Sequence, residues 1–197
     1  MSAAEQDLDI AIGHFAELLA SNLHAQRAAH FPPDAKKVMR SLSSGEAAEL
    51  LGVDHTYLRK LHREGKISDV ETTAGSHRRY TLDDIWEIRH SLEANAKKPG
   101  TYVPGRRSGD ELQVVSVVNF KGGSGKTTTS AHLAQRLAFK GYRVLAIDLD
   151  PQASMSALHG IQPELDLMEG GTLYDAVRYD DPVPISEVIR KTYIRGL

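Results

Sequence analysis

Hydrophobic positions along this chain change character twice. Leu8, Ile12, Phe15, Leu19 and Leu23 recur every three or four residues, which lays one apolar stripe on a helix from about Glu5 to Ala29. Pro32-Pro33 stops it. A helix this long cannot cover its own stripe, so it packs either on its own domain or on another copy of the chain. From Leu42 the apolar periods become short and are broken by glycine and by capping residues. From Val114 onward they merge into two nearly continuous runs.

The middle stretch, residues 34–96, reads as a winged helix-turn-helix. Ser43 precedes Glu46 by three, a capping box that starts a helix near Ser44 carrying Ala47, Ala48, Leu50 and Leu51 and stopping at Gly52. Asp54 caps a second helix, His55 to Glu64, with Leu58 and Leu61 inward and Gly65 as its stop. Two short helices joined by a tight glycine turn make a helix-turn-helix. A hairpin follows: Asp69 to Thr73, a turn at Ala74-Gly75-Ser76, then His77 to Thr81. Thr81 caps a further helix, Leu82 to about Glu93, with Ile85, Trp86 and Ile88. The helix, helix, hairpin order is similar to the MerR-type winged helix, in which Tyr80 and Ile85 would be core.

Residues 97–109 hold Pro99, Gly100, Pro104, Gly105 and Gly109 beside Lys97, Lys98, Arg106 and Arg107, the composition of a linker between domains. Beyond it, Val114 to Val118 is a β-branched run expected in a strand buried on both faces, followed by a helix from Lys126 to Lys140 and a second run, Val144 to Ile147. Strand, helix and strand in about 35 residues imply a βαβ unit and a parallel sheet. Thr172 to Val177 and Ile185 to Arg190 read as shorter helices.

Between the first run and its helix lies Lys121-Gly122-Gly123-Ser124-Gly125-Lys126-Thr127-Thr128. Glycines here let successive backbone N–H groups approach phosphate oxygens, and the helix start adds partial positive charge. Lys126 can reach β and γ phosphates and the Thr127 hydroxyl can ligate magnesium. The usual phosphate-loop pattern places a glycine five residues before Gly125; Phe120 stands there, and a second lysine, Lys121, sits inside the loop. The second run ends in Asp148-Leu149-Asp150-Pro151-Gln152, two carboxylates at i and i+2 that share a strand face at the ligand-binding end of a parallel sheet.

These two motifs resemble the deviant-Walker ParA/MinD ATPases, specifically the ParA-type partition branch. Ala153 to Leu158 and Thr172 to Asp181 look closest to the RepA branch of the RepABC plasmid operons. The resemblance implies an α/β fold, a phosphate-loop parallel sheet (incomplete here) preceded by an N-terminal helix and the MerR-like module. It implies that Lys121 reaches the partner subunit's nucleotide in an ATP-sandwich homodimer. Lys126 would bind β and γ phosphates, Thr127 would hold magnesium and Thr128 would touch the α phosphate. Asp150 would position or activate the attacking water and Asp148 would support the magnesium shell, with Gly122, Gly123, Ser124 and Gly125 lining the nucleotide. ATP, Mg2+, DNA, a ParB-type centromere-binding partner and a nucleoid-associated cytoplasmic location follow from the same resemblance. The family's later Walker B aspartate has no match in these residues. With too few residues after Asp110 to flank both apolar runs, the chain reads as part of a protein roughly twice as long, with a loosely packed nucleotide half.

Charge narrows the DNA contact. Residues 1–108 hold 15 basic and 15 acidic side chains, and residues 42–81 hold six of each, so bulk attraction to nucleic acid is excluded and any basic patch must be geometric. The candidate readers are His55, Thr56, Tyr57, Arg59, Lys60 and Arg63 on the second helix, with Ser76, His77, Arg78 and Arg79 on the wing. Absent cysteine excludes disulfides, thiolate metal sites and the iron-protein relatives, and makes a cytoplasmic protein the expectation. No apolar run is long enough to cross a membrane. Two functions remain: an ATP-dependent DNA-segregation protein that binds operator DNA and represses its own operon, or a transcriptional regulator whose nucleotide site only senses a ligand.

Overall fold

The computed structural model describes residues 3–30, 37–162 and 171–197. By contacts the chain divides into two units, Met1–Lys36 and Lys37–Leu197. The first holds α1 (Ala3–His30), on which Ile12, Phe15, Leu19 and Leu23 lie exposed along one stripe. The side chain of Leu8 and the proline stop lie outside the described residues.

In the second unit, Ser43 accepts from the Glu46 N–H while the Glu46 carboxylate accepts from the Ser43 N–H, and this reciprocal cap starts α2 (Ser44–Leu51). Gly52 ends it at φ +71°, a left-handed conformation that closes the turn into α3 (His55–Arg63). Asp54 caps α3 by accepting from the Thr56 N–H at 2.7 Å. The hairpin forms as expected, with Arg79 N–H donating to Glu71 O and Thr73 N–H to His77 O. Its returning arm, β2 (Arg79–Tyr80), also pairs antiparallel with β1 (Leu42–Ser43) just before α2. That pairing ties the wing to the start of α2. Thr81 and Asp84 form a second capping box at the head of α4 (Leu82–Ala94). Leu42, Ala47, Ala48, Leu51, Leu58, Leu61, Ile67, Tyr80, Ile85, Ile88 and Leu92 make one buried core. Leu58 is fully buried, which contributes roughly 1.5–3 kcal/mol for a side chain of its kind.

The expected linker is docked over part of its length. Glu93 on α4 accepts from the N–H groups of Gly100, Tyr102 (2.8 Å) and Val103 (3.1 Å), which holds its carboxyl below the usual range. Tyr102 packs on the core, so residues 100–103 form a strap along α4.

Beyond it, α5 (Lys126–Phe139) buries a face of small residues, Ala131, Ala134 and Ala138, and packs with α6 (Ser154–Leu158), where Met155 and the adjacent His159 are buried. The helices α7 (Leu173–Val177) and α8 (Ile185–Val188) follow, the latter shorter than expected. The expectation of two strands buried on both faces is not met. Val114, Val115, Val118, Leu145 and Ile147 are exposed, and neither run joins a ladder among the described residues. A parallel strand is buried by strands beside it and helices over both faces, and none pairs with these runs here.

Candidate nucleotide-binding and nucleic-acid sites

The glycine loop is built from its entrance inward. Asn119 Oδ1 accepts from the Lys121 N–H at 2.8 Å and turns the chain after the first apolar run. Gly123 and Gly125 then take φ of +69° and +82°, where any other residue is strained. Nothing lies within 4 Å of a Cβ placed on Gly122, Gly123 or Gly125, so the loop has an open inner face. Gly125 caps α5 without a side-chain hydrogen bond. The first helical N–H groups therefore face the loop with no side-chain acceptor, and with the helix dipole they favour an anion. Lys126 folds back so that its Nζ donates to Lys121 O at 3.4 Å, across the loop's mouth. Thr127 is half-buried, while Lys121, Ser124 and Thr128 are exposed. This donor set fits a polyphosphate: an open glycine cradle, amides at a helix start, and an ammonium held at the loop by the Lys121 carbonyl.

The two acids are engaged differently. Asp148 Oδ2 accepts from both the N–H and the hydroxyl of Ser156 at 3.0 Å, so this carboxylate anchors α6. Asp148 Oδ1 also accepts from the Asp150 N–H at 3.3 Å. Asp150 is exposed, and its Oδ1 accepts from the Gln152 N–H at 3.0 Å. A carboxylate offers about four lone-pair positions, so each keeps acceptor capacity for a hydrated cation.

The helix-turn-helix and the wing flank an open pocket of ≈ 380 Å³ lined by Ser43, Ser44, Gly45, His55, Arg59, Ser76, His77, Arg78 and Arg79. Three arginines from two elements thus converge on the N-terminal end of α2, although residues 42–81 carry no net charge. Thr56, Tyr57, Lys60 and Arg63 are exposed on α3 but do not line this pocket. The Thr56 hydroxyl donates to Asp54 within the cap, and Lys60 lies 3.7 Å from Glu64, so both have protein partners. Sequence reasoning missed Ser43, Ser44 and Gly45 as lining residues. Their capping box was the available signal, since it marks a helix start, where the first amides have no partner within the helix. It also missed Arg89, whose place between Ile85 and Leu92 on the buried side of α4 marks it as a cation among core positions. Among the described residues no helix is long and apolar enough to cross a membrane, and no group of His, Asp or Glu could hold a metal ion by itself.

Residues 42–91 match the family model of the MerR helix-turn-helix regulatory proteins. Residues 115–193, which contain the glycine loop and the two acids, match the CobQ/CobB/MinD/ParA nucleotide-binding domain. A putative replication protein A of Sinorhizobium fredii is 51% identical over 183 residues, 92% of this chain and 44% of that protein. Residues 115–193 resemble the ParA-type proteins. Protein SopA of Escherichia coli is 34% identical over 146 residues, covering 72% of this chain and 36% of SopA. The chromosome partitioning protein ParA of Caulobacter vibrioides is 42% identical over 90 residues, 46% of this chain and 32% of that protein. The chain spans less than half the length of these curated relatives. Against these likenesses, Lys121 and Lys126 fall inside the matched nucleotide-binding domain, and Arg59, Arg78 and Arg79 inside the matched helix-turn-helix.

Proposed function

We propose that this chain is part of an ATP-dependent DNA-segregation protein that binds operator DNA through its winged module and represses its own operon. The observation that carries the reading is the presence in one unit of an open glycine loop with the Lys126 ammonium held at it and a three-arginine pocket between wing and helix. In this reading Lys126 leaves Lys121 O for the β and γ phosphates, Gly122 to Gly125 offer amides, Thr127 holds magnesium and Thr128 meets the α phosphate. Magnesium-bound ATP supplies a phosphoanhydride bond whose hydrolysis resets the protein. Lys121 extends to the nucleotide of a second copy. Asp150, the more exposed acid, orients the attacking water, and Asp148 supports the magnesium shell while it holds α6 in place. Arg59 reads bases, with Thr56, Tyr57, Lys60 and Arg63 beside it, and His77, Arg78 and Arg79 hold the DNA backbone. Non-specific DNA would be bound along with the operator, which places the protein on the nucleoid. The apolar stripe of α1 suits a homodimer contact, and the partner is a ParB-type centromere-binding protein.

A second reading, a transcriptional regulator that uses nucleotide only as a ligand, is favoured by the engagement of Asp148 with Ser156 rather than with the loop. Phosphate release by the protein decides between them. Release stimulated by DNA and the centromere-binding partner, and abolished by Lys126→Ala, supports segregation. Nucleotide binding that changes operator affinity with no lysine-dependent release supports the regulator.

A further inference from the structure

Arg89 is 5% exposed, and no carboxylate pairs with it among the described residues. Its guanidinium donates instead to three carbonyls: Tyr102 O at 3.0 Å, Phe139 O at 2.9 Å, and Leu50 O. These come from three separate parts of the unit. Leu50 lies in the last turn of α2, Tyr102 in the strap and Phe139 at the C-terminus of α5.

Helix ends explain why one cation suits all three. The chain leaving α2 returns N–H groups to Ala48 and Glu49, from Val53 and Gly52, and that leaves the Leu50 carbonyl without a helical donor. The chain leaving α5 does the same for Arg136, Leu137 and Ala138, from Lys140, Tyr142 and Gly141, and leaves the Phe139 carbonyl. Both helices thus present a leftover carbonyl and the negative end of a dipole to the same guanidinium. Glu93, one turn along α4, fixes the strap from its N–H side while Arg89 takes its Tyr102 carbonyl. Gly141, at φ +92°, lets the chain wrap the joint: a Cβ there would lie 3.1 Å from Arg89 Cδ and 3.2 Å from Tyr102 O.

The other end of α5 is the glycine loop. At 14 residues the helix is a rod of about 21 Å with an anion cradle at its start and Arg89 at its finish. We propose that Arg89 is the positioning residue that couples the glycine loop to the DNA-reading module, by clamping the C-terminus of α5 to the C-terminus of α2. An anion drawn onto the α5 N-terminus shifts the rod, and the clamp passes that shift to α2 and, through the glycine turn, to α3 and its arginines. The proposal rests on the reading that the loop binds ATP and the winged module binds DNA.

The test measures affinity for a fluorescein-labelled duplex with and without saturating magnesium-ATP, and affinity for a fluorescent ATP analogue with and without duplex. In the wild-type chain the two ratios should agree, as linkage requires, and reach at least about fivefold. Arg89→Met should bind each ligand alone within about twofold of wild type and bring both ratios to about one. Arg89→Lys keeps the charge, but its three donors radiate from one nitrogen instead of the planar fork that reaches these carbonyls, so its ratios should fall between the two; it carries the test if Arg89→Met does not fold. Wild-type ratios of one with both ligands binding, or an unchanged ratio in the Arg89 variants, would overturn the coupling role alone. Failure of the wild type to bind ATP or duplex at all would overturn the functional reading and the coupling with it.

Discussion

Tyr80→Phe removes one buried hydroxyl, shared by His62 and Ser44, at the centre of the DNA-reading module. Tyr80 is 1% exposed and its hydroxyl lies 2.9 Å from His62 Nε2, while His62 Nδ1 is buried with no partner among the described residues. Removing one oxygen leaves almost no cavity, so the loss is polar. It deletes a hydrogen bond with a net contribution near 1 kcal/mol and leaves a second imidazole nitrogen unsatisfied, so stability should fall by about 1–3 kcal/mol. Urea unfolding followed by the fluorescence of Trp86, the chain's single tryptophan and a residue of the same module, reads this directly. Replacing both partners, as in His62→Leu/Tyr80→Phe, removes both buried polar groups and should recover much of the loss. A Tyr80→Phe variant as stable as wild type, or a double variant as destabilised as the sum of the singles, would refute the reasoning.

The same histidine sets a pH dependence. Burial, aided by Arg78 and opposed by Asp69 and Asp84, pushes the His62 pKa below its ordinary value. The folded state therefore binds its proton less readily than the unfolded chain, and stability falls as pH drops through about 6.5; His62→Leu should flatten that slope in urea titrations between neutral and mildly acid pH. The carboxylates respond lower. Glu46 is held at about 2, first by Arg40 and then by Ser43, and its favourable contribution is lost only as pH falls from about 4.5 toward that value. Lys126→Ala should abolish ATP binding whereas Lys121→Ala should keep it and lose ATP-dependent dimerisation, so nucleotide titration with native mass measurement separates them and identical phenotypes would refute the division. Arg59→Ala should relax sequence preference, and Arg78→Ala should weaken all duplexes alike and reduce the salt slope by about one, both read from binding isotherms at several salt concentrations.

Local chemistry made much of this chain legible in one dimension. Capping boxes at Ser43/Glu46 and Thr81/Asp84, the Asp54 cap and the Gly52 stop are written in neighbouring residues; each helix of the winged module begins where those signals stand and α2 ends at its glycine, while α3 closes at Arg63, one residue short of the expected Glu64. The glycine loop was equally readable, because positive φ at Gly123 and Gly125 and the lysine at the helix start are requirements of a few consecutive residues. What the tertiary structure alone decided is wherever distant segments meet. The apolar runs at Val114 and Val144 announce strands, yet a strand exists only through a neighbour, and the described residues pair none with them. The β1–β2 pairing and the Leu50 and Phe139 carbonyls on Arg89 join residues far apart in sequence, and no local pattern marks such partners. The basic pocket is the sharpest case: its charge balance is zero along the chain and positive in space, because folding brings Arg59, Arg78 and Arg79 together and leaves the matching acids elsewhere.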